Sequence, residues 1–268
     1  MLPRYRRSVL LGAVTALALT VAGCAPLPPS ATEAHFAHTT ADLVLGAEEQ
    51  MTVNLVFVAG ADDIIWSDLV EVSLREDDTE TSPVTLAADQ FTVARGTERD
   101  GQTLGNVTLA VPLDGVWREG RYSFSQAVLT FTGRPEPRVV DVGRWQAEQR
   151  PGDAWVSSAG EAVVAAPRCG PSEVRIRNLR EAALTVDAVT TPALGVSFDR
   201  VTGVGPLAPE QETDVHFDVR CDDATDFQII TPRVAVTSAG VTRVEPLDTV
   251  SIGFTDITTA TIERIAAR

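Results

Sequence analysis

Beyond about residue 40 the chain alternates apolar and polar side chains with a period of two. The runs Met51 to Val58 (MTVNLVFV), Ser67 to Leu74 (SDLVEVSL), Leu104 to Val111 (LGNVTLAV) and Tyr122 to Phe131 (YSFSQAVLTF) are rich in β-branched and aromatic residues. Such residues suit a pleated, half-buried surface, so each run is expected to be a strand. A second set repeats the pattern: Glu173 to Arg177, Leu184 to Val189, Thr213 to Arg220, Arg233 to Thr237 and Val250 to Phe254. Turn-forming groups separate the runs, among them Ala59-Gly-Ala-Asp62, Arg99-Asp-Gly101, Leu113-Asp-Gly115 and Arg118-Glu-Gly120. No stretch of this body sustains a long amphipathic helix, and the tail Ile262 to Arg268 is short. The expected fold is therefore all-β, with many short strands arranged as sandwiches. The polar, turn-forming Glu148 to Asp153 (EQRPGD) divides the body into residues 41–150 and 151–268. Each part has about the size of one sandwich domain. One larger sandwich is the alternative.

The front of the chain follows a different pattern. Arg4, Arg6 and Arg7 precede an apolar run from Val9 to Ala22, which stops at the small pair Ala22-Gly23. The run is shorter than the roughly 20 residues a helix needs to span a bilayer. A basic start, an apolar middle and a small-residue end are the marks of an export signal, so residues 1–23 are expected to be removed. Arg6-Arg7-Ser8-Val9-Leu10 also has the look of a loose twin-arginine motif. Residues 24–40 carry prolines at 26, 28 and 29 and no apolar periodicity. They read as a Pro-rich tether, extended at up to about 3.1 Å per residue.

Val21-Ala22-Gly23-Cys24 resembles the lipobox of bacterial lipoproteins, of the kind found in actinobacteria. That resemblance implies a diacylglyceryl group on the Cys24 thiol, acyl chains of the palmitate type, and a protein held on the extracytoplasmic face of the cell membrane. Each buried methylene contributes about 0.8 kcal/mol, and two chains hold far better than one.

The 268-residue chain has a formal charge of −15, and removing the leader with its three arginines and no acids brings it to about −18. Tethering such a body beyond the ~8 Å reach of screened surface charge reconciles it with an anionic membrane. The same charge disfavours nucleic acid, which needs a basic stripe. The chain contains no lysine, so no lysine can form a Schiff base.

With Cys24 acylated, Cys169 and Cys221 remain as an even pair in an exported chain and are expected to form a disulfide. The competing reading is two buried thiols. Two isolated sulfurs lack the further ligands of a metal centre.

In the second half, Val174-Arg-Ile-Arg-Asn178, Ala183-Leu-Thr-Val186, Pro206-Leu-Ala-Pro209 and Thr213-Asp-Val-His-Phe217 resemble the immunoglobulin-like modules of the ASH and major-sperm-protein type. In those modules an asparagine ends an early strand and a proline turn precedes a central one. In the first half, Val116-Trp-Arg-Glu-Gly-Arg-Tyr-Ser-Phe124 is similar to a turn and strand common among immunoglobulin-like folds. These resemblances imply two immunoglobulin-like β-sandwiches that bind or scaffold, and they supply no catalytic residue.

Candidate chemistry is sparse. The three histidines are His35 and His38 in the tether and His216; the last alternates with Val215 and Phe217 and reads as a solvent-facing strand residue. There is no G-x-S-x-G elbow and no Gly-rich phosphate cradle; Gly203-Val-Gly205 lacks the third glycine and a following helix. Asp222-Asp-Ala-Thr-Asp226 is the densest run of oxygen ligands, with Asp62-Asp63 and Asp77-Asp78 as rivals, but the EF-hand spacing is missing. Trp66, Trp117, Trp145 and Trp155 suit core packing or a sugar-stacking platform. The expectation is a non-enzymatic, cofactor-free lipoprotein that contacts an envelope protein or polymer. The alternatives are a glycan hydrolase using paired carboxylates and a calcium- or metal-binding accessory protein.

Overall fold

The computed structural model describes residues 33–46, 50–76, 84–99, 101–112, 120–149, 152–158 and 163–268. Cys24, Trp117 and the Asp77-Asp78 pair lie outside them. In chain order the strands begin with β1 (His35–Phe36), β2 (Thr39–Leu45), β3 (Met51–Gly60), β4 (Leu69–Arg75), β5 (Val84–Ala87), β6 (Phe91–Arg99), β7 (Gln102–Val111), β8 (Arg121–Phe131) and β9 (Arg138–Gln149). There follow β10 (Val156–Ser158), β11 (Val163–Ala166), β12 (Pro171–Asn178), β13 (Leu184–Thr190), β14 (Val196–Thr202) and β15 (Gly205–Leu207). The chain continues through β16 (Glu212–Cys221), β17 (Phe227–Ile230), β18 (Arg233–Ser238), β19 (Val241–Pro246) and β20 (Thr249–Ile252) to one α-helix, α1 (Thr259–Ala266). No described helix is long and apolar enough to cross a membrane.

The protein is all-β, with its sheets layered as sandwiches. One four-stranded sheet has the order β1-β3-β7-β6 and faces the β2-β9-β8-β4-β5 portion of an eight-stranded sheet. Between them lies a core holding Met51, Val53, Leu55 and Phe57 of β3, with Leu109 of β7, Phe124 of β8 and Trp145 of β9. The alternation of these positions follows from successive side chains pointing to opposite faces of a strand. Phe124 and Trp145 stack with ring centroids 5.6 Å apart, and each such fully buried side chain contributes about 1.5–3 kcal/mol.

A second core lies among the sheets β10-β12-β16-β14 and β15-β13-β18-β19, with β17 and β20. It contains Val174 and Ile176 of β12, Val215, Phe217 and Val219 of β16, and Val234 and Val236 of β18. Asn178, the last residue of β12, is wholly buried. Its side-chain amide donates to the carbonyls of Ala182, Leu207 and Ala208, and its Oδ1 accepts from the Arg180 N–H. One side chain thus fixes two turns, because buried backbone carbonyls need partners.

The halves expected at 41–150 and 151–268 each have a core of their own, yet they share the eight-stranded sheet, whose order is β11-β20-β17-β2-β9-β8-β4-β5. There β17 pairs in parallel with β2, Phe227 opposite Thr39 and Ile230 opposite Asp42, while β2 pairs in parallel with β9. A backbone ladder therefore crosses the seam.

The tether expected to reach residue 40 stops earlier. Residues from Glu33 belong to the fold: β1 pairs with β3, β2 is central in the large sheet, and Ala34, Phe36, Ala37, Thr39 and Thr40 are buried. Paired on both sides and covered on both faces, β2 has no polar face to generate an alternating pattern. Residues 24–32 of the tether lie outside the described residues.

Candidate functional site

At the seam β2 begins beside a bulge in β9. Gly143 in that bulge has φ +83° and sits directly against the Thr39 backbone, where a Cβ would lie 2.3 Å from the Thr39 carbonyl oxygen. Only glycine tolerates both constraints. The approach leaves a cleft of about 620 Å3 whose lining includes His38, Ser125, Asp141, Arg144, Leu194 and Asp222. Among the described residues Leu194 is the most exposed of the large apolar side chains, at 58 %. On the other side of Asp222 lies a hollow of about 700 Å3, lined by Cys169, Cys221, Asp226, Asp256 and Arg264 among others. Cys169 and Cys221 are joined as a disulfide.

Asp226 organises the region. Its carboxylate is fully buried and accepts from Arg264 Nε at 2.6 Å, Arg268 Nη2 at 3.1 Å and the His38 backbone N–H at 2.9 Å. The Asp226 N–H in turn donates to the His38 carbonyl at 2.8 Å. This geometry bears on the calcium alternative. Asp226 is committed to guanidinium partners, and Asp222 Oδ1 accepts from the Ala224 N–H at 3.1 Å in a local turn. Among the described residues no three His, Cys, Asp or Glu side chains gather as a metal site.

His38 belongs to the fold and lines the cleft. Arg268 Nη1 contacts its Nδ1, and its Nε2 lies 3.6 Å from Asp141 Oδ1. Because guanidinium only donates, Nδ1 is the acceptor and the ring proton sits on Nε2. Burial is the largest influence on the ring and holds its pKa below the ordinary 6.5; Asp141 and Asp226 oppose that, and Arg268 reinforces it. A ring whose two nitrogens face Arg268 and Asp141 has no nitrogen directed at a serine.

The other residues singled out from the sequence lie apart. His216 is exposed, with Nδ1 3.1 Å from Glu173 on the facing strand. Trp145 is in the first core, and Trp66 packs on Phe57 beneath the Arg95 guanidinium. The Arg180 and Arg243 guanidiniums lie over the buried Trp155 ring. None of these three offers an open indole face.

Sequence reasoning missed a buried charge cluster that also bridges the seam. Arg233 on β18 donates to Asp42 Oδ1 of β2 at 3.1 Å and to Glu148 Oε2 of β9 at 3.0 Å. Nothing local marks these three residues, because long-range register brings them together.

No family model matches the chain, and no curated protein matches it. Among solved structures, a protein of unknown function from Porphyromonas gingivalis W83 is 12% identical over 81% of this chain and 99% of its own, with a TM-score of 0.26. Escherichia coli alpha-2-macroglobulin activated by porcine elastase is 10% identical over 84% of this chain and 22% of its own, TM-score 0.28. The secreted serine protease VesC from Vibrio cholerae is 12% identical over 70% of this chain and 46% of its own, TM-score 0.27. Likeness at this level carries no argument about function.

Proposed function

We propose that the protein is a lipid-anchored lipoprotein of the extracytoplasmic face of the cell membrane, and that it acts as a non-enzymatic binding or scaffolding module toward an envelope protein or polymer. The observation that carries this reading is the lipobox-like Val21-Ala22-Gly23-Cys24 at the end of a basic-then-apolar leader. The Cys169 to Cys221 disulfide supports it, since such bonds persist in oxidising compartments. The commitment of His38 to Arg268 and Asp141 supports a binding role over acyl transfer. The cleft beside Leu194, with polar groups around one exposed apolar residue, is where we place ligand contact.

Cys24→Ala is expected to move the protein from the detergent phase to the aqueous phase in cell fractionation, with loss of acyl mass from the processed N-terminus. Unchanged partitioning of the variant would overturn the anchor, and with it the proposed place of action.

A further inference from the structure

Helix α1 has eight residues, below the ~12–15 at which an isolated helix becomes even marginally stable in water. What holds it is tertiary contact. Thr258 caps its start by accepting from the Thr261 N–H. One face presents Ile262 and Ile265, three positions apart, to an apolar seat of Ala37, Val56, Val58 and Phe227. The seat explains an irregularity in β3, which is buried on both faces from Leu55 to Gly60: one face serves the first core and the other serves this helix. The polar side is fastened by Arg264 and Arg268, both on Asp226, with Arg268 also reaching His38.

The Arg268 contact depends on His38 being neutral. A proton on Nδ1 would place N–H against N–H, while the new positive charge would be drawn to Asp141, 3.6 Å from the other ring nitrogen. Two partners on opposite sides of the imidazole thus compete according to its charge. We infer that α1 is an acid-released strap: protonated His38 turns from Arg268 to Asp141, the outer fastening opens, and the helix lifts from its apolar seat.

The charged and titratable groups around the ring are Asp141 of β9, Arg268 beyond α1 and Asp226 before β17, with Arg264 behind Asp226. Glu76, Arg144 and Asp222 stand farther round the same cleft. Burial keeps His38 neutral to a lower pH than an exposed histidine. Because the unfolded chain binds that proton first, acidification through this interval weakens the folded arrangement. The strap is therefore closed near neutrality and opens only on acidification beyond the range in which an exposed histidine takes up its proton. Its opening bares the apolar seat formed by Ala37 after β1, Val56 and Val58 of β3 and Phe227 of β17.

Hydrogen exchange on the full chain at about pH 7 and about pH 5, corrected for the intrinsic pH dependence of exchange, reads this out. Peptides covering residues 258–268 are expected to lose roughly tenfold in protection at the lower pH, the size expected for one charge-assisted hydrogen bond, while β3 and β7 keep theirs. His38→Gln, which accepts from Arg268 but does not protonate, should hold the helix equally at both pH values. Arg268→Gln should show the reduced protection already at pH 7. Full protection of wild-type residues 258–268 at pH 5 would overturn the strap without recourse to any variant. A fall in His38→Gln as large as that of the wild type, or full protection of Arg268→Gln at pH 7, would overturn the assignment to this histidine.

Discussion

Replacing Arg233 with methionine is expected to cost about 3–5 kcal/mol of folding free energy near pH 7.5, the range for stranding a buried charge by removal of its partner. The Arg233 side chain is 13% exposed, and Asp42 beneath it only 3%. Arg233 Nη2 serves both Asp42 and Glu148, and the second oxygen of Asp42, Oδ2, is buried without a hydrogen-bond partner. Burial, only partly offset by Arg233, pushes the Asp42 carboxyl up to about 6. Its folded pKa is thus above the ordinary carboxylate value. The folded chain holds a proton that the unfolded chain has released between about pH 4 and 6, so this group makes stability fall as pH rises through that window. Without Arg233 the ionised form loses its hydrogen bond and its main compensation, and only the weaker attraction of Arg121 remains. The loss in Arg233→Met should therefore shrink when urea unfolding is repeated near pH 4.5. Asp42→Asn keeps an acceptor for Arg233 and carries no charge, so it should gain on the order of 2 kcal/mol at pH 7.5 and little at pH 4.5. If Arg233→Met stays within about 1 kcal/mol of the wild type at pH 7.5, the cluster is not the electrostatic tie across the seam described above.

That tie illustrates what the sequence makes legible and what it does not. β3, β4, β7, β8, β12, β13, β16, β18 and β20 each overlap a run that alternates in the sequence, because each turns at least part of one face to solvent or a polar neighbour. β2 escapes notice for the opposite reason: Thr39 to Val44 is buried without interruption, and Thr39, Thr40 and Asp42 disguise an interior strand as polar linker. β6 is hidden by exposure, since its last six residues face solvent and carry no apolar period. Strand existence is local information; which strands become neighbours is not. Asp42 and Arg233 are 191 positions apart, Glu148 and Arg233 are 85 apart, and His38 and Asp226 are 188 apart. All these contacts depend on β2 entering the large sheet in parallel between β17 and β9. The acidic run ending at Asp226 looks like a solvated turn or an oxygen-ligand loop in the sequence. Register alone turns Asp226 inward to the arginines that follow the last strand.

The Cys169→Ser/Cys221→Ser double variant should lose about 4 kcal/mol, the chain-entropy value for a closed loop of this length. The cysteines are 52 positions apart, so reduction frees a long segment of the unfolded chain. Its first structural effect should be local. Cys221 ends β16, and Cys169 lies in the turn after β11, where Gly170 accepts from the Val219 N–H at 2.8 Å. β11 is an edge strand of only four residues, paired in parallel with β20 alone and fastened beyond its end by the Gly253 N–H to the Ala166 carbonyl at 2.9 Å. Besides the crosslink, Val164 and Ala166 pack this edge against the second core, a smaller contact than that of the central β16, so exchange protection in residues 163–170 should fall before that in β16. Reductant should lower the urea midpoint of the wild type and leave the double variant unmoved. A wild-type midpoint indifferent to reductant, or alkylation of both thiols in the unreduced protein, would mean that the crosslink contributes nothing. The covalent tie and the Asp226 fastening both converge on the segment from Cys221 to Phe227. Reduction and acidification should therefore loosen the same corner of the molecule, and their effects on residues 163–170 and 258–268 should exceed the sum of each alone, as expected for groups sharing one support.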